Sequence, residues 1–140
     1  AHGGVFYMFD YVGPNRFQFS DDVIYYANKI RSTFPREYFN GPGGQSIEKL
    51  VSRVNESAVI EMDPSEAVDS ESIIRGIYEH FPHAQVWKLG GALFRLCLNK
   101  IIANLDDDSH ADIIELVGIA DEMCMNLIEN HFAASIAIKQ

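Results

Sequence analysis

The chain has 140 residues and a mass of 15.7 kDa, enough for one domain around one hydrophobic core. Apolar residues make up 47% and charged residues 22%, which excludes a disordered chain, a collagen-like fibre and a coiled coil. The 11 basic and 20 acidic residues leave a net charge of −9, and without a basic cluster this argues against nucleic acid or an anionic membrane as partner.

No apolar run approaches the ~18 residues of a membrane-spanning helix. Cys97 and Cys124 sit inside apolar helical patterns and give no disulfide framework, so a cytoplasmic protein is expected.

The first element is Val5-Phe6-Tyr7-Met8-Phe9, a continuous apolar run of strand formers. Alternation would mark a strand with one wet face, whereas continuity predicts a strand covered on both faces and flanked by others. The expectation is that the first half of such a sheet lies outside these residues.

Ser20 or Asp21 predicts a helix cap, with the helix running through about Phe34 and Val23, Ile24, Ala27, Ile30 and Phe34 on one stripe. Pro35 ends it, and Gly41-Pro42-Gly43-Gly44 reads as a loop. Ile47, Leu50, Val51 and Val54 suggest a short second helix. Asp63-Pro64-Ser65-Glu66 has the form of a helix start, and Ser70 that of a cap on a piece facing Ile73, Ile74, Ile77, Tyr78 and Phe81 inward. Ala84 to Leu89 reads as a strand, Gly90-Gly91 as a turn and Ala92 to Asn104 as a helix. Asp108 or Ser109 is expected to cap the longest helix, with Ile113, Ile114, Val117, Ala120, Cys124, Leu127 and Ile128 on its stripe. Phe132 to Ile138 is the closing strand.

Most motifs carry little chemistry. Gly41-Pro42-Gly43-Gly44 follows no strand and precedes no Lys-Ser/Thr, unlike a phosphate loop. Gly90-Gly91 lacks the third glycine of a dinucleotide fingerprint. Asp106-Asp107-Asp108 with His110 lacks the central glycine and terminal glutamate of a calcium loop. His80 and His83 have no third ligand nearby in sequence.

The segment Asp10-Tyr11-Val12-Gly13-Pro14-Asn15-Arg16-Phe17-Gln18 is more informative, because ligands of open α/β sheets bind at the carboxyl ends of strands. Asp10 suits a donor group, Tyr11 stacking or a hydrogen bond, and Arg16 a carboxylate. The same residues also suit a structural role in which Asp10 and Arg16 fix the loop through its backbone and Tyr11 packs. Residue types alone leave both readings open.

Gly3-Gly4-Val5-Phe6 leading into Asp10-Tyr11-Val12-Gly13-Pro14 and Arg16-Phe17-Gln18 resembles the fifth-strand region of class I S-adenosylmethionine-dependent methyltransferases, in a bacterial subgroup where that strand follows a Lys-Pro-Gly-Gly turn. The resemblance continues through Asp63-Pro64-Ser65-Glu66-Ala67-Val68 with Ser70, Gly90-Gly91-Ala92-Leu93 with Asn104, and the strand at Phe132 to Lys139, covering nearly the whole chain in order. It implies an α/β fold, a partial Rossmann-like sheet of three strands, mixed in direction, with about four to six helices. Val5–Phe9 would be the fifth strand, Ala84–Leu89 the sixth, and Phe132–Ile138 the antiparallel seventh between them. Residues 1–140 would form one domain, with about 20–70 a helical substrate lid.

The family binds its cofactor with a glycine-rich loop after the first strand and an acid at the end of the second, and neither is among these residues; Ala1-His2 also replaces the Lys-Pro of the turn. The resemblance thus implies the carboxyl half of a methyltransferase acting on a small molecule. S-adenosylmethionine would bind the full-length parent, with no cofactor and no activity expected for this chain alone. Asp10, Tyr11 and Arg16 would bind substrate, with no residue assigned as a base. An alternative is a non-catalytic, self-associating module that binds a small molecule. Either way a homo-oligomer through the Val5–Phe9 edge is expected, because that strand carries no lysine, proline or inward charge to protect it.

Overall fold

The computed structural model describes residues 3–105 and 108–139. Asp106 and Asp107 of the acidic run lie outside the described residues. In chain order the elements are β1 (Val5–Tyr11), α1 (Asp21–Thr33), α2 (Glu56–Met62), α3 (Ile73–His80), β2 (Gln85–Lys88), α4 (Ala92–Leu98), α5 (Ala111–Cys124) and β3 (Phe132–Ile138), with short 3-10 turns between them. Among the described residues this is a mixed α/β arrangement with five α-helices and one three-stranded sheet.

The sheet order is β1-β3-β2. Val5 pairs with Ile138 and Tyr11 with Phe132, while Gln85 pairs with Ile136 and Lys88 with Ala133. Both pairings are antiparallel, so the expected mixed sheet is corrected. β1 and β2 run in the same direction, but β3 separates them and they share no ladder.

The expectation that Val5–Phe9 is covered on both faces is also corrected. Val5, Tyr7 and Phe9 are 66%, 68% and 59% exposed, and they lie beside Ile138 and Ile136 on one open face. The other face is packed: Ala133, Ser135 and Ala137 are buried, and Phe6 stacks on Phe81 with ring centroids 5.0 Å apart. Among the described residues no strand pairs with the outer edge of β1.

The core lies where α4 packs against both α1 and α5. Val23 and Ala27 from α1, Leu93, Leu96 and Cys97 from α4, and Val117 from α5 are buried there with Phe19, Phe39 and Ile101. α1 begins as its sequence indicates, with the Ser20 hydroxyl accepting from the Val23 N–H at 3.3 Å. It also buries Arg31, 1% exposed, on the face shared with Ala27.

Arg31 explains why residues 47–54 are not a helix. Its Nε donates to the Lys49 carbonyl at 2.7 Å and its Nη2 to that of Glu48 at 3.0 Å. The Asn28 side chain accepts from the Val51 N–H at 2.8 Å and donates to the Val51 carbonyl at 2.9 Å. Backbone groups that a helix would pair internally are thus held by two side chains of α1. The helix forms later as α2, with Asn55 accepting from the Ala58 N–H at 3.2 Å.

Asp63 caps the carboxyl end of α2 instead of starting a helix. Its carboxylate accepts from Ser65 N–H at 2.8 Å and Ser65 Oγ at 2.7 Å, a local turn that holds the carboxyl below the ordinary aspartate range. α4 stops at Leu98, short of Asn104, where Asn99 turns extended and Lys100 takes a left-handed φ of 62°. α5 starts at Ala111 with His110 in the capping position, and it ends at Cys124, leaving Leu127 beyond it and exposed.

Candidate functional site

β1 runs two residues past Phe9, so Asp10 and Tyr11 belong to its carboxyl end, paired with Ala133 and Phe132. Asp10 is exposed, and its carboxylate accepts from the Tyr11 N–H at 2.7 Å. Tyr11 is half-buried. Its hydroxyl donates to the Pro14 carbonyl at 3.0 Å, and burial raises the phenol well above its ordinary pKa. That bond folds the ring back over Gly13, where a Cβ would stand 2.7 Å from the ring and 2.9 Å from the His131 ring, so no larger residue fits.

Arg16 has a left-handed backbone, φ 52°. Its guanidinium donates through Nη1 to the Glu66 carbonyl and through Nη2 to the Pro64 carbonyl, both at 2.8 Å. Its N–H donates to the Ala67 carbonyl at 2.8 Å. The fork that would suit a carboxylate is therefore engaged on the turn after α2. These are the contacts of a residue that fixes the loop.

The same turn is joined to the end of β1 by a second set of bonds. Ser70, buried, does not cap a helix; its hydroxyl donates to the Gly13 carbonyl at 2.8 Å. The Asn15 side-chain oxygen accepts from the Glu71 N–H at 3.1 Å. Between the two segments lies a cleft of about 370 Å³, lined by Asp10, Tyr11, Ser65, Glu66, Ala67, Val68, Asp69, Ser70 and Ile73. Asp10 and Tyr11 face this cleft together. Arg16 is not on its wall but holds the turn that forms it. Three carboxylates, those of Asp10, Glu66 and Asp69, line the space without a basic side chain among the lining residues.

Behind Tyr11 the structure assembles groups that sequence reasoning missed. The Arg95 guanidinium lies over the rings of Phe17 at 4.3 Å and Tyr11 at 5.2 Å. His131, fully buried, stacks on Phe19 at 4.8 Å, and its Nε2 lies 3.0 Å from Glu129 Oε1. His131 Nδ1 and Ser135 Oγ have no hydrogen-bond partner among the described residues. The available signal was position: His131 directly precedes β3, opposite the end of β1.

Asp121 was missed as well. From α5 it accepts the N–H groups of Gly91 at 2.5 Å, Leu93 at 2.7 Å and Phe94 at 3.2 Å, capping α4 from outside. Gly91 has φ 89°, and a Cβ there would meet the Phe132 ring at 2.5 Å.

In the glycine turn that opens onto a helix after β2, the Gly90 amide donates to the Asn130 side-chain oxygen and the Gly91 amide to Asp121, and the glycines at 41–44 form a 3-10 turn with no described strand before it. His80 Nδ1 lies 2.9 Å from the Gly76 carbonyl, and among the described residues no three His, Cys, Asp or Glu converge to hold a metal ion. Compared with family models, curated proteins and solved structures, the chain has no match in any of the three.

Proposed function

We propose that the chain is the acceptor-side half of a class I S-adenosylmethionine-dependent methyltransferase, and that its cleft at the carboxyl end of β1 holds a small-molecule methyl acceptor. The observation that supports this reading is the sheet, in which β3 lies between β1 and β2 and pairs antiparallel with both. The cofactor would belong to the other half. The residues of this chain act by position. Methyl transfer needs a nucleophile held in line more than it needs acid–base power.

In the cleft, Tyr11 forms an aromatic wall, while Asp10, Glu66 and Asp69 favour an acceptor that is neutral or carries an amine over an anionic one. Arg16 is a positioning residue, because its two bonds to Pro64 and Glu66 fix the far wall. The test is transfer of labelled methyl groups by the protein of the whole reading frame to a panel of small amines, alcohols and carboxylates. Label in amines or alcohols, reduced about tenfold by Asp69→Asn at unchanged melting temperature, is the expected result. Label confined to carboxylates, or none, would overturn the reading.

A second reading, a self-associating module without catalysis, is favoured by the exposed apolar face of the sheet. Val5, Tyr7, Phe9, Trp87, Ile136 and Ile138 are all exposed there, on three adjacent strands.

A further inference from the structure

A cavity of about 560 Å³ shares no lining residue with the cleft after β1. It lies between the α1–α4 pair and the stretch from Glu48 through α2, and its volume is that of a site for one small molecule. One wall is apolar: Leu50, Val54, Val59 and Met62. Of these, Leu50, Val54 and Met62 are exposed, Met62 by 87%, so their apolar surface contributes little to the core.

The other end is cationic, against the sign of the whole chain. Arg31, Arg53 and Lys100 line the cavity with one carboxylate, Glu48, in a protein of net charge −9. Arg53 is neutralised by Asp21 at 2.6 Å. Among the described residues Arg31 has no ion pair: its partners are carbonyl oxygens, those of Glu48, Lys49, Leu96, Cys97 and Asn99, which satisfy its N–H groups and leave its charge. Lys100 follows Asn99 directly, so a second cation, without an ion pair among the described residues, stands at the Arg31 end. A buried cation held by neutral carbonyls keeps its charge, and an anion brought near it recovers part of the cost of burial.

We infer that this cavity binds a single-chain amphiphilic anion, with its apolar tail along Leu50, Val54, Val59 and Met62 and its carboxylate-type head at Lys100 on the Arg31 end. A two-chain membrane lipid is too large for the space, so the ligand would be taken from solution.

The test is titration calorimetry of the 140-residue chain with dodecanoate below its micelle concentration. One saturable site is expected, without matching binding of dodecyltrimethylammonium or of phosphatidylglycerol vesicles. Lys100→Glu and Met62→Asp should each weaken dodecanoate about tenfold. Both positions are exposed, so circular dichroism should report an unchanged fold. Lys100→Gly, which relaxes the left-handed backbone while removing the charge, should weaken binding too. Tyr7→Lys, on the exposed sheet face, should leave it unchanged. Absence of saturable binding, equal affinity for the cationic amphiphile, capture by vesicles alone, or a loss caused by Tyr7→Lys and not by the Lys100 variants would overturn the inference.

Discussion

At the scale of single residues, the molecule places unusual demands on Arg31 and Cys97. Arg31 ties α1 to the end of α4 and to the 48–49 backbone, and its guanidinium stacks 5.0 Å from the Phe39 ring centroid. Burial disfavours its charged form, and the five carbonyls are what make that form tolerable. Lysine keeps the charge but cannot reach all of them. Arg31→Lys should therefore cost about 2–4 kcal/mol, read from the urea midpoint, and an unchanged midpoint would contradict this account. Burial also pushes the Cys97 thiol from 9.0 up to about 12. The unfolded chain then loses this proton at lower pH than the folded chain does. Its contribution to stability is complete below about pH 9 and is lost as pH rises towards 12. Tyr11, also raised by burial, adds to the loss above its ordinary 10.0. Chemical unfolding across that range should show stability falling with pH, with a shallower fall in Cys97→Ala.

At the scale of elements, what was legible in the sequence is what depends on near neighbours. β3, β2 and α1 follow from period, composition and a Ser20 cap within three residues of its partner. Residues 47–54 have a helical pattern, yet their backbone is held by Asn28 and Arg31, 17 to 23 residues away. The end of β1 could be singled out as a site because Asp10 and Tyr11 close the strand and Arg16 follows within five residues of Tyr11. Its other wall could not, since it depends on bonds across 50 residues from Arg16 to Glu66 and across 57 from Ser70 to Gly13. The α4 cap has the same character: Asp121 comes from α5, about 30 residues beyond the amides it accepts from. Asp121→Asn removes the charge and part of the accepting capacity, and should cost about 1–3 kcal/mol in unfolding free energy. Gly91→Ala should cost more, since it adds both a strained φ and a clash with Phe132. Near-equal stability of Gly91→Ala and the parent would show that the turn can relax.

At the scale of the whole molecule, the sheet has a packed face, an open apolar face and an outer β1 edge without a described partner strand. Burial of such a face yields ~25 cal/mol per Å², enough to outweigh screened repulsion between chains of net charge −9. Light scattering should find self-association of the 140-residue chain, shifted towards monomer by Tyr7→Lys; a monomer at high concentration would show that the face stays solvated. The same open face and edge are what the acceptor half of a methyltransferase would present to its cofactor half. The most direct measurement is titration of S-adenosylmethionine into two proteins, this chain and the product of the whole reading frame. The account predicts one equivalent bound by the product of the whole frame and none by the 140-residue chain. Binding by the chain alone, or by neither protein, would contradict it.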